Sequence, residues 1–402
     1  MVPQDPSASA AAPGNARPDY DLEAWRRRVP VLRTSIPLCH CSHSPLIDGI
    51  REAVAGYLDS WDRNVMDWDA WMEQVDRAKA AFAMLIGASP GEIALMPSVT
   101  AAAAAVASCF EAGAGRRRVL ISEAEFPTIG HVWLARQAAG ARIDWVPLRD
   151  GIVDPEEYDR RIDERTLLVV ACHAFYRNGF KQDLARICRR AHAHGTRVFV
   201  DAYQTLGIHP VDVKALDVDF LTAGAHKFLL GIPGVAFLYV REELIEGLHP
   251  TLTGWFARAD IFSFDPRTLD WAGSARRFEQ ATPPVINAYV ARAGIETIQA
   301  IGPERIRRWT DHLSRRLVEG GRARGLTLYG TDDVQRKTAT TAFVCPGDAM
   351  EIERALRRRG VLAAARGQVI RLAPHFYNSV EDVDTGLEAL AELVGPGAVD
   401  GR

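Results

Sequence analysis

Two stretches, Arg197–Gly207 (RVFVDAYQTLG) and Phe220–Gly234 (FLTAGAHKFLLGIPG), decide how the rest of the chain reads. In the first, the apolar run Val198-Phe199-Val200 ends on Asp201. In the second, a further apolar run leads into His226 and Lys227, then into the loop Gly231-Ile232-Pro233-Gly234. Short runs rich in β-branched and aromatic residues predict strands, and runs without a polar alternation predict strands covered on both faces. A charged side chain at the end of such a strand falls where parallel α/β sheets gather their ligands.

Outward from this pair, strands and helices alternate. Before it come EIALMP as a strand, SVTAAAAAVASCF as a helix, RVLISE as a strand, a helix from about 128 to 139, and RIDWVPL as a strand. DPEEYDRRI predicts a short helix, TLLVVACH a buried strand and KQDLARICRRAHAHG a helix; VAFLYV is one more strand. The segment 45–86 carries apolar residues three and four apart and ends at Gly87, which predicts two helices and a glycine cap. After about residue 248 the pattern changes. Long helices at 285–324, short strands LTLYG, TAFVC and QVIRLAP, and helices at 350–359 and 380–394 predict a smaller α+β domain. The expected organisation is a tail at 1–17, an N-terminal segment and active-site loop at 18–45, and a large α/β domain at 46–250. Interface loops at 251–284 and the small domain at 285–402 complete it.

Composition bounds the function. The 402 residues suffice for more than one domain, 48% are hydrophobic and 25% charged, and the net charge is −3. So small a charge gives no global field for nucleic acid. No apolar run reaches the length of a membrane span. The six cysteines are scattered and several lie in apolar runs, which fits free thiols in a reducing cytoplasm rather than a disulfide framework. Cys39-His40-Cys41-Ser42-His43 packs four potential metal ligands together, but its cysteines are too close for a zinc knuckle and no second pair follows at finger spacing; no metal is expected.

A buried carboxylate and a strand-end lysine in this order suit pyridoxal 5′-phosphate. The lysine can form a Schiff base with the cofactor aldehyde, and the aspartate can hold the pyridine nitrogen protonated. A plain buried Asp–Lys pair is the other reading of the same two residues. Three features extend the first. Ser98-Val99-Thr100 stand where a strand turns into a helix, a place for a phosphate as well as for an ordinary N-cap. Gln204 follows Asp201 by three residues, within reach of a cofactor oxygen. Phe126, in SEAEFPT, stands just past a strand end, where a ring can stack on the pyridine or simply fill the core.

From about residue 38 to 395 the chain resembles the class V branch of fold-type I pyridoxal phosphate enzymes, which holds cysteine desulfurases, cysteine C–S lyases, kynureninases and isopenicillin N epimerase-like proteins. The resemblance rests on SVTAA, EFPT, DAYQTLG, AHKFLLGIPGVAFLYV, GWF, TPPV and VIRLAPHFYNSVEDVD. It implies a large domain with a mostly parallel seven-stranded sheet and a smaller α+β C-terminal domain. It implies that Lys227 carries the cofactor and moves the α-proton, that Asp201 pairs with the pyridine nitrogen, and that Gln204 meets the phenolic oxygen. Phe126 would stack on the ring, and Val99, Thr100 and His226 would hold the phosphate. Trp255 and Thr282 match positions that reach the neighbouring subunit's phosphate in a homodimer with shared active sites. Arg371 matches the clamp on the substrate α-carboxylate, where a bidentate guanidinium is needed. Arg366 would assist it, and His40 or His43 would line the substrate pocket.

The resemblance also narrows the reaction. Desulfurases carry a cysteine shortly before the carboxylate-binding arginine, and here that stretch reads GVLAAARGQVIRL. Kynureninase-like residues around the lysine and after GWF are replaced as well. The remaining expectation is an amino-acid substrate and β-elimination at a cysteine S-conjugate, a C–S lyase. Transamination, epimerisation and decarboxylation are the alternatives, and a non-catalytic relative is a further one. Ala- and Arg-rich composition suggests a GC-rich bacterial genome and a place in specialised metabolism.

Overall fold

In the central strands, successive residues belong to two different cores. The computed structural model describes residues 17–111 and 115–394. Val198 and Val200 pack into one core and Phe199 into the other; Leu120 parts from Val119 and Ile121 in the same way. A strand buried on both faces has no polar side to show, which is why these stretches read as unbroken apolar runs.

The elements follow in chain order. Helix α1 (Leu22–Arg27), strand β1 (Ile36–Pro37), α2 (Asp48–Asn64) and α3 (Trp68–Ile86) lead into β2 (Ile93–Met96) and α4 (Val99–Ser108). Then come β3 (Arg118–Ser122), α5 (Pro127–Ala135), β4 (Arg142–Val146), α6 (Pro155–Arg161), β5 (Thr166–Cys172), α7 (Leu184–His192) and β6 (Arg197–Asp201). Strands β7 (Phe220–Gly224) and β8 (Ala236–Val240) are followed by α8 (Glu242–Ile245), α9 (Val285–Ile301) and α10 (Pro303–Ala323). The chain ends with β9 (Thr341–Val344), α11 (Ala349–Arg358), β10 (Val361–Leu362), β11 (Ala364–Arg366), β12 (Val369–Leu372) and α12 (Val380–Val394).

The expected seven-stranded sheet is present, in the order β2-β8-β7-β6-β5-β3-β4. Only β8 runs antiparallel to its neighbours. Helix α3 covers one face through Val75, Ala78, Phe82 and Ile86, and Phe82 stacks on Phe237 with ring centroids 4.3 Å apart. Truncating Phe82 to alanine would cost about 3–5 kcal/mol. Gly87, at φ 70°, ends α3 in the left-handed conformation that glycine adopts without strain.

A three-stranded antiparallel sheet, β11-β12-β9, forms the C-terminal layer. Helices α10, α11 and α12 bury Leu313, Leu317, Leu356, Val383 and Leu387 with Ile370 and Leu372. Helix α9 buries Ala288, Ala291 and Ile295 in the core of the large sheet. Strand β1 pairs with β10, so the N-terminal segment is tied to the C-terminal layer.

Two local expectations are corrected. LTLYG forms no strand; only Leu328 bridges to Phe343. The helix expected from Lys181 starts at Leu184, because Asp183 caps it and Lys181 is held in a bridge to Ala174. The tail expected at 1–17 lies outside the described residues except for residue 17.

Candidate active site

The carboxyl ends of the parallel strands open onto a cavity of about 360 Å³. Its lining includes Ser98, Val99, Thr100, Phe126, Asp201, Gln204, His226, Lys227 and Arg366. All but Arg366 come from a strand end of the large sheet or from the turn just beyond it, so that sheet fixes their spacing; Arg366 comes from β11 of the C-terminal layer. Ser98 caps α4, its Oγ accepting from the Ala101 N–H at 3.0 Å, and α4 points its free N–H groups at the cavity. Phe126 caps α5 at Pro127 and stands edge-on to Tyr176, with centroids 5.2 Å apart.

Lys227 lies over the rings of Tyr203, 4.0 Å from the centroid, and Phe126, 5.6 Å away. Lysines 79, 181, 214 and 337 each donate to a protein partner. Among the described residues Lys227 makes no such bond. Burial pulls its ammonium down to about 8, against the opposing charge of Asp201. Asp201 is buried and accepts one hydrogen bond, from the Tyr203 N–H at 2.8 Å; burial raises its pKa, and that bond and Lys227 oppose the rise.

Tyr203 was not foreseen. Its hydroxyl lies 2.6 Å from Nδ1 of His226. Burial, aided by Lys227, holds His226 at about 4, and burial raises the Tyr203 phenol. The phenol therefore keeps its proton and donates it to Nδ1, which leaves the His226 Nε2–H as a donor. Gly224 makes room for this ring, since a Cβ there would sit 2.0 Å from the Tyr203 hydroxyl. Nothing in the spacing of the sequence announces that contact.

Glu125 and Cys172 were also missed. Cys172 pairs with Asp201 across β5 and β6, and Oε1 of Glu125 accepts the Cys172 N–H while its Oε2 has no partner. Burial first, then the charge of Asp201, pushes the Glu125 carboxyl up to about 8.

Arg371, on β12, is 1% exposed and lies behind the cavity lining, its Nε donating to the Ala364 carbonyl at 3.3 Å. Its Nη1 donates to the Tyr176 carbonyl at 2.6 Å and its Nη2 to Ser42 Oγ at 2.7 Å. Both partners line the cavity.

His40 and His43, expected to line the substrate pocket, are not among its lining residues, and Trp255 and Thr282, expected at the neighbouring subunit's phosphate, lie away from this chain's own cavity. His40 is fully buried, with Nδ1 3.3 Å from the Ala373 carbonyl and Nε2 2.9 Å from the Tyr377 hydroxyl. With both nitrogens engaged it packs the N-terminal loop onto the C-terminal layer and does not line the cavity. His43 stands beside His226, centroids 5.4 Å apart, with Nδ1 on the Ser44 carbonyl. Trp255 lies in an aromatic group with Trp68, Phe256 and Phe264 and lines a different cavity. Thr282 is exposed. Among the described residues no cluster of three or more His, Cys, Asp or Glu could hold a metal, and no helix is long and apolar enough to cross a membrane.

The family model of aminotransferase class-V matches residues 44–385. The chain belongs to that family. It is 37% identical over 376 residues to the uncharacterized aminotransferase YcbU of Bacillus subtilis (strain 168), covering 92% of this chain and 97% of the relative. It is 29% identical to isopenicillin N epimerase of Streptomyces clavuligerus, over 93% of this chain and 99% of the epimerase. Among solved structures, the cystine C–S lyase C-DES in complex with cysteine persulfide superposes with a TM-score of 0.84 at 21% identity, over 92% of this chain and all of that one, which shows the shared fold.

Membership implies pyridoxal 5′-phosphate as cofactor, and the cavity fits it. Lys227 offers an unpaired amine and Asp201 a carboxylate with acceptor capacity to spare. The α4 N-terminus and the free donor of His226 suit a phosphate. Gln204 spends Nε2 on the Cys41 carbonyl at 3.0 Å, while its Oε1 is buried without a partner. An orphaned polar atom in such a wall is what a missing ligand leaves.

Proposed function

We propose that the protein is a pyridoxal phosphate-dependent C–S lyase that eliminates a thiol from a cysteine S-conjugate. The observation that carries this reading is an unpaired lysine in a cavity that offers no reactive thiol, with Arg371, which has no counter-ion among the described residues, directly behind its lining residues Ser42 and Tyr176. Cys172 reaches the cavity floor, but burial keeps its thiol protonated. The hairpin that carries Arg371 has Ala363, Ala364 and Ala365 instead.

The bound cofactor would supply an electron sink for the pair released at Cα. Arg371 holds the substrate α-carboxylate through the donor capacity that Ala364, Tyr176 and Ser42 leave free. Lys227, neutral above about pH 8, takes the Cα proton. Asp201 would offer its carboxylate to the pyridine nitrogen of the bound cofactor, and Phe126 its ring to the cofactor's face. The Cβ–S bond then breaks with its electron pair on sulfur, which leaves as the thiol on taking up a proton, and one water hydrolyses the remaining three-carbon amino fragment to pyruvate, releasing its nitrogen as ammonia.

The test is pyruvate and thiol release from a panel of S-substituted L-cysteines by the cofactor-loaded enzyme. Pyruvate in step with thiol supports elimination; a binding spectrum without pyruvate contradicts it. The near full-length similarity to an epimerase favours inversion at Cα as the second reading. Exchange of α-deuterium with racemisation and no pyruvate would select it, and accumulated pyridoxamine phosphate would select transamination.

A further inference from the structure

Arg371 and Arg366 project from the same face of one hairpin. Ala364 lies opposite Arg371 in the register of β11 and β12, and cross-strand partners share a face. Arg366 is two residues beyond Ala364, so it returns to that face about 7 Å further along the strand. Arg371 is 1% exposed whereas Arg366 is exposed and lines the cavity, so the step from one to the other leads toward the mouth.

Neither guanidinium has a carboxylate within ion-pair distance among the described residues. Arg366 donates only to its neighbour's carbonyl, Ala365 O, at 2.9 Å. The carboxylate nearest the hairpin, Glu353, is engaged by the Ala365 N–H at 2.7 Å and stands 3.9 Å from Arg357. Asp201 is the one carboxylate among the lining residues, and it lies at the end of β6 in the large sheet, not on this hairpin. The phosphate-binding end, at Ser98 to Thr100, is built by the large sheet and not by this hairpin. Arg366 on the cavity wall and Arg371 one step deeper on the same face of the hairpin, neither of them ion-paired among the described residues, describe a complement for two anionic groups.

We propose that Arg366 reads a second acidic group of the substrate, so that this site takes amino acids whose side chain ends in a carboxylate or an equivalent anion. The inference rests on Arg371 holding the α-carboxylate, as in the proposed function, and it narrows the S-conjugates to those with an acidic S-substituent. Arg366 acts here as a specificity residue and takes no part in bond breaking.

The test uses ligands with no leaving group at Cβ, so binding is read whether or not elimination occurs. The cofactor-loaded enzyme is titrated with L-glutamate and L-2-aminoadipate against L-glutamine and L-norleucine, followed by the visible absorbance of the cofactor. The acidic ligands are expected to bind about tenfold more tightly than the neutral ones, the size of one charge-assisted contact. Arg366→Gln should bring that ratio close to one, and Arg366→Lys should retain part of it. Arg366 is exposed, so neither variant threatens folding. Equal affinities in the wild type would overturn the proposal, as would an acid preference that survives in Arg366→Gln. Failure of pyruvate release, with the preference intact, would sink the lyase reading and leave this one standing.

Discussion

Lys227 and Lys337 are both taken out of water, and burial pulls both down, to about 8 and about 7. Their surroundings differ. Lys337 is 1% exposed and donates to Ser314 Oγ at 2.8 Å and Thr341 Oγ1 at 2.7 Å, wedged between α10 and β9. Lys227 opens onto a cavity, faces a carboxylate and two aromatic rings, and donates to nothing. A depressed pKa therefore does not by itself mark a functional lysine. The empty hydrogen-bonding capacity, aimed at a space that a ligand can enter, marks it.

The largest expected effect is at Lys227. Lys227→Ala should lose covalent cofactor attachment and lower turnover roughly a thousandfold or more, as removal of a general base does. Retained turnover in a steady-state assay would erase the contrast between the two lysines. Arg371→Ala comes next. Losing charge-assisted contacts to a carboxylate should weaken amino-acid binding about ten- to a hundredfold while cofactor affinity holds. Equal loss of both, measured by absorbance titration, would make Arg371 a structural residue.

The pH dependence sharpens the comparison. Attachment of the cofactor aldehyde needs the neutral amine, so the rate of loading the apo-protein should rise with pH and level off above about 8. A rate flat from pH 6 to 9 would contradict the environment assigned to Lys227. Stability should follow another group. His375 is buried and neutral, its pKa held down to about 4 by burial, and His40 packs against it and is lowered too. The unfolded chain takes up protons near 6.5 and the folded chain does so only near 4, so unfolding is favoured as pH falls through that window. Denaturant midpoints should drop by the equivalent of about 1–3 kcal/mol between pH 6.5 and 4. The smallest effect belongs to Lys337→Met, which should leave loading and turnover unchanged and shift stability by about 1 kcal/mol in either direction.

Much of this was legible in the sequence. Asp201, Lys227 and Phe126 end strands or begin turns, and the strands announce themselves by apolar runs, so their convergence follows from the topology of a parallel sheet. Arg371 and Arg366 were found through motif order, not through any periodicity. Tyr203, Tyr176, Ser42 and Glu125 were missed because their roles depend on contacts between distant segments. A tyrosine over a glycine of the next strand is one such contact, and a loop hydroxyl that meets a guanidinium 329 residues away is another. His40 misled for the same reason. A histidine in a loop before a long helix reads as accessible, and only the fold shows Tyr377 and Ala373 closing over it.

The measurement that bears most directly on the central claim is peptide mapping of the enzyme loaded with pyridoxal phosphate and reduced with borohydride. The adduct is expected on the peptide that contains Lys227, at one per chain. An adduct on Lys337 or Lys181, or none at all, would contradict the assignment of this cavity as the active site.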